Sequence, residues 1–325
     1  MTVADLGEFG LIAAISALLP AGGSEIIGIG DDAAVVRAPD CRVVATTDLL
    51  VEGRHFRRDW SGPFDVGVKA AAQNLADVAA MGASGTALLV GLATPGDLPV
   101  AWAEDLVRGL AAECARAGAS VVGGDVSSAD SIMLAITALG DLGGREPVTR
   151  AGAQVGDVVA VAGRTGRSAA GLALLAARRA SGFDALVAAH LRPSPPYAAG
   201  PEAAGLGATA MIDVSDGLLA DLGHVADASG VLIDVETARL PADPALRAAA
   251  EALSADQGAP GGVAPGPGGL GWVLAGGEDH ALTATFGPGT TLPGHWSVIG
   301  TVQKGHGVTV DSRPAGGVTG WSHFR

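Results

Sequence analysis

Residues 68–94 read VKAAAQNLADVAAMGASGTALLVGLAT, and this stretch contains both kinds of regular element from which the chain is built. Its first half is rich in Ala and has apolar residues at helical spacing, whereas its second half is an apolar run typical of a buried strand. The same alternation continues to about residue 142. It predicts helices packed on a sheet, that is, an α/β or α+β fold.

The length and one polar segment predict two domains. A chain of 325 residues exceeds one ordinary domain. The turn-rich segment GGREPVTRAGAQVGD, residues 143–157, separates two sets of strand-like and helical stretches, so we place the domains at 1–146 and 147–325. The Gly/Pro stretch at 256–271 is predicted to be a low-complexity loop without catalytic residues.

The composition excludes several classes of function. With 34 acidic and 20 basic residues, the net charge of −14 disfavours binding to nucleic acid or to an anionic membrane. Cys41 and Cys114 form no CxxC or Cys/His pattern, which argues against a zinc site and for a reducing cytoplasm. The stretch EFGLIAAISALLP at 8–20 lacks a basic n-region and has helical spacing, so it predicts a helix and not a signal peptide.

Carboxylates recur where apolar runs end, beside Gly, Thr or Ser, and one more lies on a helix. These acids are Asp31, Asp32, Asp48, Asp77, Asp125, Asp213, Asp216, Glu278 and Asp279. Because an unpaired charge beside apolar segments is costly, we expect cations to compensate these acids. The seven His residues are scattered without ligand spacing, so oxygen-binding Mg²⁺ or Ca²⁺ is favoured over softer metals.

Known phosphate and calcium motifs fit poorly. DVSDGLLADLGH at 213–224 lacks the spacing of an EF-hand, which leaves Mg²⁺ bridging a polyphosphate as the simplest reason for so many acids in one protein. GIGDDA at 28–33 formally fits a dinucleotide-binding motif but places two carboxylates where pyrophosphate should lie. GRTGRSAAG at 163–171 can offer backbone N–H groups to phosphate, yet it lacks the P-loop Lys.

Each of these residues also has a structural interpretation. Ser215 or Asp216 can cap the helix that follows, and Asp31 with Asp32 can form a turn. His224 is predicted to be structural and Trp102 to lie in the core. Only the recurrence of the acids favours a site over these alternatives.

One helix shows a charge pattern typical of a solvated surface. Glu104, Asp105 and Arg108 are spaced to pair at i,i+4 and i,i+3 on one helix face. We expect them to have no catalytic role.

Nine motifs occur together in an order that resembles the thiamine-monophosphate kinase family. They are GEFGLI (7–12), GIGDDAAVV (28–36), TTDLLVEGRHF (46–56), VGVKAAAQNLADVAAMGA (66–83), VVGGDVS (121–127), TRAGAQVGD (149–157), DVSDGLLADLGHVA (213–226), GGEDHAL (276–282) and GWSHF (320–324). The resemblance spans about residues 5–324. The wider superfamily includes aminoimidazole ribonucleotide synthetase and selenophosphate synthetase.

The resemblance implies a two-domain α+β fold, with a dimerising N-terminal domain and a C-terminal α/β sandwich. It also implies a cytoplasmic homodimer that uses several Mg²⁺ ions to transfer the γ-phosphoryl group of ATP onto thiamine monophosphate. An alternative is a relative that uses the same ATP site on another acceptor, such as formylglycinamidine ribonucleotide. A protein that binds nucleotides or thiamine phosphates without turnover is the second alternative.

The resemblance also assigns roles by position. The metal shell corresponds to Asp32, Thr46, Thr47, Asp48, Asp77, Asp125, Asp213 and Asp216, of which Asp48, Asp77, Asp213 and Asp216 are the catalytic acids. The residues expected to contact ATP are Gly124, Asp125, Arg150 and Ser215. The thiamine substrate corresponds to His55, Glu278 and Trp321. The sequence departs from the residues common in the family at Arg54, Ala76 and His280.

Overall fold

The computed structural model of the chain describes residues 1–20, 22–29, 33–253, 263–315 and 320. It divides into two compact units, Met1–Ala79 with Ala83–Arg145, and Ala80–Gly82 with Glu146–Arg325. Each unit combines helices with a mainly antiparallel sheet, so the fold is α+β, as predicted.

The first unit is built around a four-stranded sheet with the order β3-β6-β4-β5, in which β4 and β5 are parallel. Strands β1 and β2 form a separate antiparallel pair. The elements are α1 (Val3–Ser16), β1 (Glu25–Ile27), β2 (Val35–Val36), β3 (Val44–Val51), α2 (Pro63–Ala80), β4 (Ser84–Thr94), α3 (Val100–Ala117), β5 (Ser120–Ser128) and β6 (Met133–Asp141).

Small residues allow α2 to pack closely against its neighbours. The side chain of Leu75 lies over Gly85 of β4, where a Cβ atom would be only 2.6 Å from Leu75 Cδ2. On another side of α2, Gly67 faces the Leu106 carbonyl of α3 so closely that any side chain would overlap it. Glycine at these two positions is therefore what lets α2 approach both β4 and α3 closely.

The second unit contains a seven-stranded sheet with the order β13-β12-β9-β11-β7-β10-β8, in which β9 and β12 are parallel. Its elements are β7 (Val158–Ala162), α4 (Arg167–Ala176), α5 (Asp184–Leu191), α6 (Ala199–Gly205), β8 (Ala208–Asp213), α7 (Leu218–Ser229), β9 (Leu232–Val235), α8 (Pro244–Leu253), α9 (Leu270–Ala275), β10 (Leu282–Phe286), β11 (Trp296–Gln303), β12 (Gly307–Val310) and β13 (Arg313–Pro314).

Two apolar clusters fill this second unit. In one, Leu222 of α7 packs with sheet residues such as Ile212 and Ile299. In the other, Leu174 and Trp272 join α4 and α9 to α5 and α8. The strand that ends at Asp213 thus belongs to a packed sheet, which fixes the position of the residues that follow it.

The structure confirms the predicted N-terminal helix as α1 and modifies two other predictions. Helix α7 begins at Leu218, so neither Ser215 nor Asp216 immediately precedes it. Within the predicted loop at 256–271, residues 256–262 lie outside the described residues, but the indole of Trp272 donates to the carbonyl of Val263 at 3.2 Å. The last two residues of that stretch, Leu270 and Gly271, belong to α9, so the loop prediction is wrong there. No helix in the described ranges is long and apolar enough to cross a membrane.

Candidate active site

Strand β3 and helix α2 bring three of the predicted metal-shell residues together. Thr46 and Asp48 share one face of β3, because alternate residues of a strand point the same way. Thr46 Oγ1 donates to Asp77 Oδ2 of α2 at 2.8 Å. The backbone N–H of Asp48 donates to Asn74 Oδ1 at 3.0 Å, and Asn74 is fully buried. The helix spacing that places Asn74 and Asp77 on one face thus ties α2 to β3 at two points.

Thr47 lies on the opposite face of β3. Its Oγ1 donates to the carbonyl of Ile136 at 2.9 Å and accepts from Thr137 Oγ1 at 3.3 Å. The structure therefore does not bring the Thr47 side chain together with those of Thr46 and Asp48.

Gly124 and Asp125 lie on β5 beside an apolar cavity. Gly124 pairs with Val90 of β4, and any side chain at position 124 would overlap the Val90 carbonyl. Asp125 is exposed and lines the cavity with Ile12 of α1 and Leu106 of α3, among others. The result is an apolar recess with a carboxylate and an uncovered glycine backbone at its edge.

In the second unit, two segments cross and hold each other through backbone hydrogen bonds. Segment 213–217 follows β8 and segment 276–281 precedes β10. The N–H of Glu278 donates to Ser215 O at 2.7 Å, and that of His280 donates to Val214 O at 2.9 Å. These bonds place the backbone of Glu278 beside that of Ser215, next to Asp213 at the end of β8.

The backbone in this crossing is unusual for residues with side chains. Glu278 and His280 have φ values of 63° and 52°, in the left-handed region that L residues rarely adopt. Nδ1 of His280 lies 3.1 Å from Oδ2 of the buried Asp213. Strained backbone of this kind persists only where the surrounding contacts impose it, and it clusters at functional sites.

The start of α7 is held by Asp221, a residue within the helix that the sequence reasoning missed. The cap position is Gly217, which has no side chain, so the alternative that Ser215 or Asp216 occupies it is wrong. Instead Asp221 Oδ2 accepts from the N–H groups of Asp216 and Gly217 at 3.1 and 3.0 Å. Burial, followed by the nearby charges of Asp213 and Asp216, raises the pKa of Asp221 to about 7.

Asp279 occupies the Gly-rich turn that was a candidate phosphate site. The N–H of Gly166 donates to Asp279 Oδ2 at 2.6 Å, and the N–H of Ser168 donates to Oδ1 at 2.8 Å. Burial raises the pKa of Asp279 to about 7 although both donors lower it. Asp279 thus anchors segment 276–281 to the start of α4, and these two N–H groups are already used.

Comparison with known proteins identifies the family. Residues 30–142 match the family model "AIR synthase related protein, N-terminal domain". The chain is 50% identical over 326 residues to a thiamine-monophosphate kinase of Mycobacterium tuberculosis, and the alignment covers 99% of this chain and 93% of the relative. This protein belongs to the thiamine-monophosphate kinase family.

Solved structures of thiamine-monophosphate kinases have the same fold. The chain resembles the enzyme from Stenotrophomonas maltophilia K279a with a TM-score of 0.79 and 32% identity, over 94% of this chain and 95% of that one. It resembles a structure described as "AaThiL complexed with AMPPCP and TMP" with a TM-score of 0.79 and 35% identity, over 100% and 99% of the two chains.

Two other site residues expected of a thiamine-monophosphate kinase are held by their surroundings. Nδ1 of His55 accepts from the N–H of Val51 at 3.0 Å, so the neutral ring carries its proton on Nε2. Arg150 is exposed, and its carbonyl accepts from Ser229 Oγ at 3.1 Å. Arg54, which departs from the common residue, is also exposed.

Three residues expected to matter in a thiamine-monophosphate kinase, Asp31, Asp32 and Trp321, lie outside the described residues. His224, expected to be structural, is exposed, and Trp102 is half-buried. The helix-face interpretation is confirmed, because the Arg108 guanidinium lies 3.4 Å from Glu104 and 3.5 Å from Asp105.

The oxygen atoms of Thr46 and Asp77 are of the kind that binds a hard cation. Among the residues that the structure describes, no three His, Cys, Asp or Glu side chains lie close enough to hold a metal ion. One contact, between Thr46 and Asp77, brings a hydroxyl and a carboxylate oxygen together. Hydroxyl and carboxylate oxygens are the ligands that Mg²⁺ prefers.

Proposed function

We propose that this protein transfers the γ-phosphoryl group of ATP to thiamine monophosphate, which yields thiamine diphosphate and ADP. The observation that carries this proposal is the 50% identity to the M. tuberculosis thiamine-monophosphate kinase along nearly the whole chain. A full-length likeness to the "AaThiL complexed with AMPPCP and TMP" structure supports it, because AMPPCP is an analogue of ATP.

We propose that several Mg²⁺ ions bind to oxygen ligands of this chain. The proposed ligands are Asp32, Thr46, Asp48, Asp77, Asp125, Asp213 and Asp216. The Thr47 side chain lies on the opposite face of β3, so Thr47 is not proposed to share an ion with Thr46 and Asp48. The direct contact between Thr46 and Asp77 supports a shared ligand site in the first unit. Bound Mg²⁺ supplies positive charge that offsets the phosphate oxygens during transfer.

The proposed ATP contacts are Gly124, Asp125, Arg150 and Ser215. The bare backbone of Gly124 and the apolar recess beside it suit the close approach of a nucleotide. The exposed guanidinium of Arg150 can offset phosphate charge without competing for the metal, since it has only donors.

The proposed thiamine contacts are His55, Glu278 and Trp321. The Glu278 carboxylate favours the cationic thiazolium ring by charge, and an aromatic ring such as Trp321 can stack on that cation. The acceptor phosphate of thiamine monophosphate is already ionised, so the reaction needs no general base. Positioning and charge neutralisation carry the catalysis.

We further propose a cytoplasmic homodimer formed through the first-unit sheet. Leu49, Leu89 and Met133 face the same side of that sheet and are 53%, 37% and 37% exposed. An exposed apolar sheet face of this kind is typical of a protein interface. Light scattering during size-exclusion chromatography measures the molar mass in solution. We expect the mass of two chains, and the mass of one chain would contradict the dimer.

Product chromatography tests the function. The purified protein is incubated with ATP, Mg²⁺ and thiamine monophosphate, with free thiamine and formylglycinamidine ribonucleotide in parallel reactions. We expect thiamine diphosphate from thiamine monophosphate only, together with ADP. If ADP forms only with another acceptor, the proposed ATP site stands but thiamine monophosphate is not the substrate. If the protein binds these ligands and forms no ADP, the non-catalytic alternative is favoured.

A further inference from the structure

A buried histidine, His190, contacts the proposed substrate residue Glu278 and has no part in the proposed mechanism. It lies in the last turn of α5 and is 5% exposed. Its Nδ1 atom lies 3.1 Å from Ser168 Oγ and 3.5 Å from Glu278 Oε2. The three side chains form a continuous chain of contacts from the interior of the second unit to the Glu278 carboxylate.

The protonation of Nδ1 decides whether the contact between His190 and Glu278 is attractive. An ionised carboxylate has only acceptors, so an unprotonated Nδ1 would set its lone pair against those of Glu278. The contact is favourable when Nδ1 carries a proton and donates it, with Ser168 Oγ as its other close neighbour. With the proton on Nδ1, His190 is the donor and Glu278 the acceptor.

The first turn of α4 positions both His190 and the segment that contains Glu278. Ser168, in that turn, contacts His190 through its hydroxyl and donates its N–H to Asp279 at 2.8 Å. Asp279 is the immediate neighbour of Glu278. The backbone of Glu278 is thus fixed from the same turn that holds the imidazole against its side chain.

The side chain of Glu278 is less constrained than its backbone. It is 33% exposed, whereas Asp279 beside it is buried. A glutamate has three side-chain torsions, so ordering it when a ligand arrives costs conformational entropy. A contact that orders the carboxylate beforehand lowers that cost and tightens binding.

We propose that His190 is a positioning residue for thiamine recognition, whose Nδ1–H holds the Glu278 carboxylate where the cationic ring of thiamine monophosphate binds. The inference rests on the proposed function, because it takes Glu278 to be a contact of that substrate. It adds a residue on α5 that sets substrate affinity without touching the substrate.

Three substitutions of His190 test the role of the Nδ1 atom. In His190→Asn the amide lies near the position of Nδ1, in His190→Gln it lies near that of Nε2, and His190→Leu has no polar group. We expect Gln and Leu to raise KM for thiamine monophosphate about tenfold, as for loss of a hydrogen bond to a charged group, with kcat and KM for ATP unchanged. The Asn variant should stay within about twofold of the wild type. Equal KM values for all three variants and the wild type would overturn the proposal, and so would equal losses for ATP.

A double-mutant cycle separates this role from a purely structural one. Glu278→Gln removes the charge that His190 is proposed to orient. We expect Glu278→Gln to raise KM for thiamine monophosphate strongly in the wild type and much less in the His190→Gln background, because the two residues act as a unit. Additive effects on KM would show that His190 only supports the fold.

The wild type in the same assay distinguishes the two levels of failure. If the wild type makes thiamine diphosphate and the cycle is additive, the inference falls and the proposed function stands. If the wild type makes none, the proposed function falls and the inference falls with it. Thermal unfolding of each variant shows whether it is folded, and the Asn and Gln pair carries the test if His190→Leu is not.

Discussion

The two units position their proposed ligands by different means. In the first unit, Thr46 and Asp48 lie on a regular strand and are bonded to Asp77 and Asn74, respectively, of a regular helix. In the second, Asp216 and Glu278 lie in two irregular segments that cross, one after β8 and one before β10, and Glu278 itself has a positive φ. Regular elements place side chains by their periodicity, whereas the crossing depends on close backbone contacts. We therefore expect the first site to tolerate backbone changes better than the second.

The largest effect should come from removing one ligand charge in either unit. We expect Asp48→Asn and Asp213→Asn to lower kcat by orders of magnitude, because each removes a carboxylate proposed to bind Mg²⁺. Asp48→Asn should leave the unfolding temperature nearly unchanged, since it is the backbone N–H of Asp48 that donates to Asn74. Steady-state kinetics measures kcat, and thermal unfolding measures the unfolding temperature.

The exposed Asp97 gives a matched control for these substitutions. Asp97→Asn removes the same charge from a loop outside the proposed site and should keep full activity. Near-wild-type turnover by a folded Asp48→Asn protein would remove that residue from the metal shell.

The second-largest effect should be on stability at the crossing. In Gly277→Ala the new Cβ would overlap the carbonyl of Ser215, so we expect the free energy of unfolding to fall by about 1–3 kcal/mol. In Gly223→Ala, in α7, the new Cβ has no atom within 4 Å, so we expect the free energy of unfolding to rise by about 0.5–1 kcal/mol. Chemical denaturation compares the two. Similar values for both variants would contradict the close packing that we assign to the crossing.

A pH-dependent effect is expected at the start of α7. The pKa of Asp221 is raised by burial to about 7 in the folded protein, from an ordinary value of 3.8. Below pH 4 both states are protonated, and between pH 4 and 7 only the unfolded state loses its proton, so wild-type stability falls across this window. Asp221→Asn lacks this loss and can still accept both N–H groups through one oxygen.

The stability advantage of Asp221→Asn should therefore grow from pH 4 to 7 and then stay level. Denaturation of metal-free protein in EDTA at several pH values measures it. An advantage of the same size at pH 4 and pH 7.5 would mean that the carboxyl of Asp221 titrates normally in the folded protein.

The smallest effect is expected on the outer face of α3. The ion pairs of Arg108 with Glu104 and Asp105 are long and partly exposed, and such pairs are worth little. Arg108→Ala should change the free energy of unfolding by less than about 0.5 kcal/mol and leave activity unchanged. A larger loss in denaturation experiments would show that this face has a structural role.

The regular parts of the molecule could be predicted from the sequence. The apolar spacing at 68–94 predicts α2 and β4, and the i,i+3 spacing of Asn74 and Asp77 predicts one helix face. Thr46 and Asp48 alternate with Thr47 on a strand, so their separation onto two faces follows from strand geometry. Local periodicity was enough for these residues because their neighbours in sequence determine where they point.

The irregular parts could not be predicted, for a physical reason. The carboxylates of Asp221 and Asp279 accept backbone N–H groups, and such carboxylates look the same in sequence as carboxylates that bind a metal. Asp279 finds its donors more than a hundred residues away, in the first turn of α4. The positive φ of Glu278 and His280 is imposed by contacts across the fold and leaves no local sequence pattern.

Following the γ-phosphate of ATP shows whether the phosphoryl group passes directly to thiamine monophosphate. The protein is incubated with γ-labelled ATP, Mg²⁺ and thiamine monophosphate, and the products are separated and counted. If the transfer is direct, we expect the label in the terminal phosphate of thiamine diphosphate, in an amount equal to that of the ADP formed. Label that appears in inorganic phosphate, with no labelled thiamine diphosphate, would contradict it.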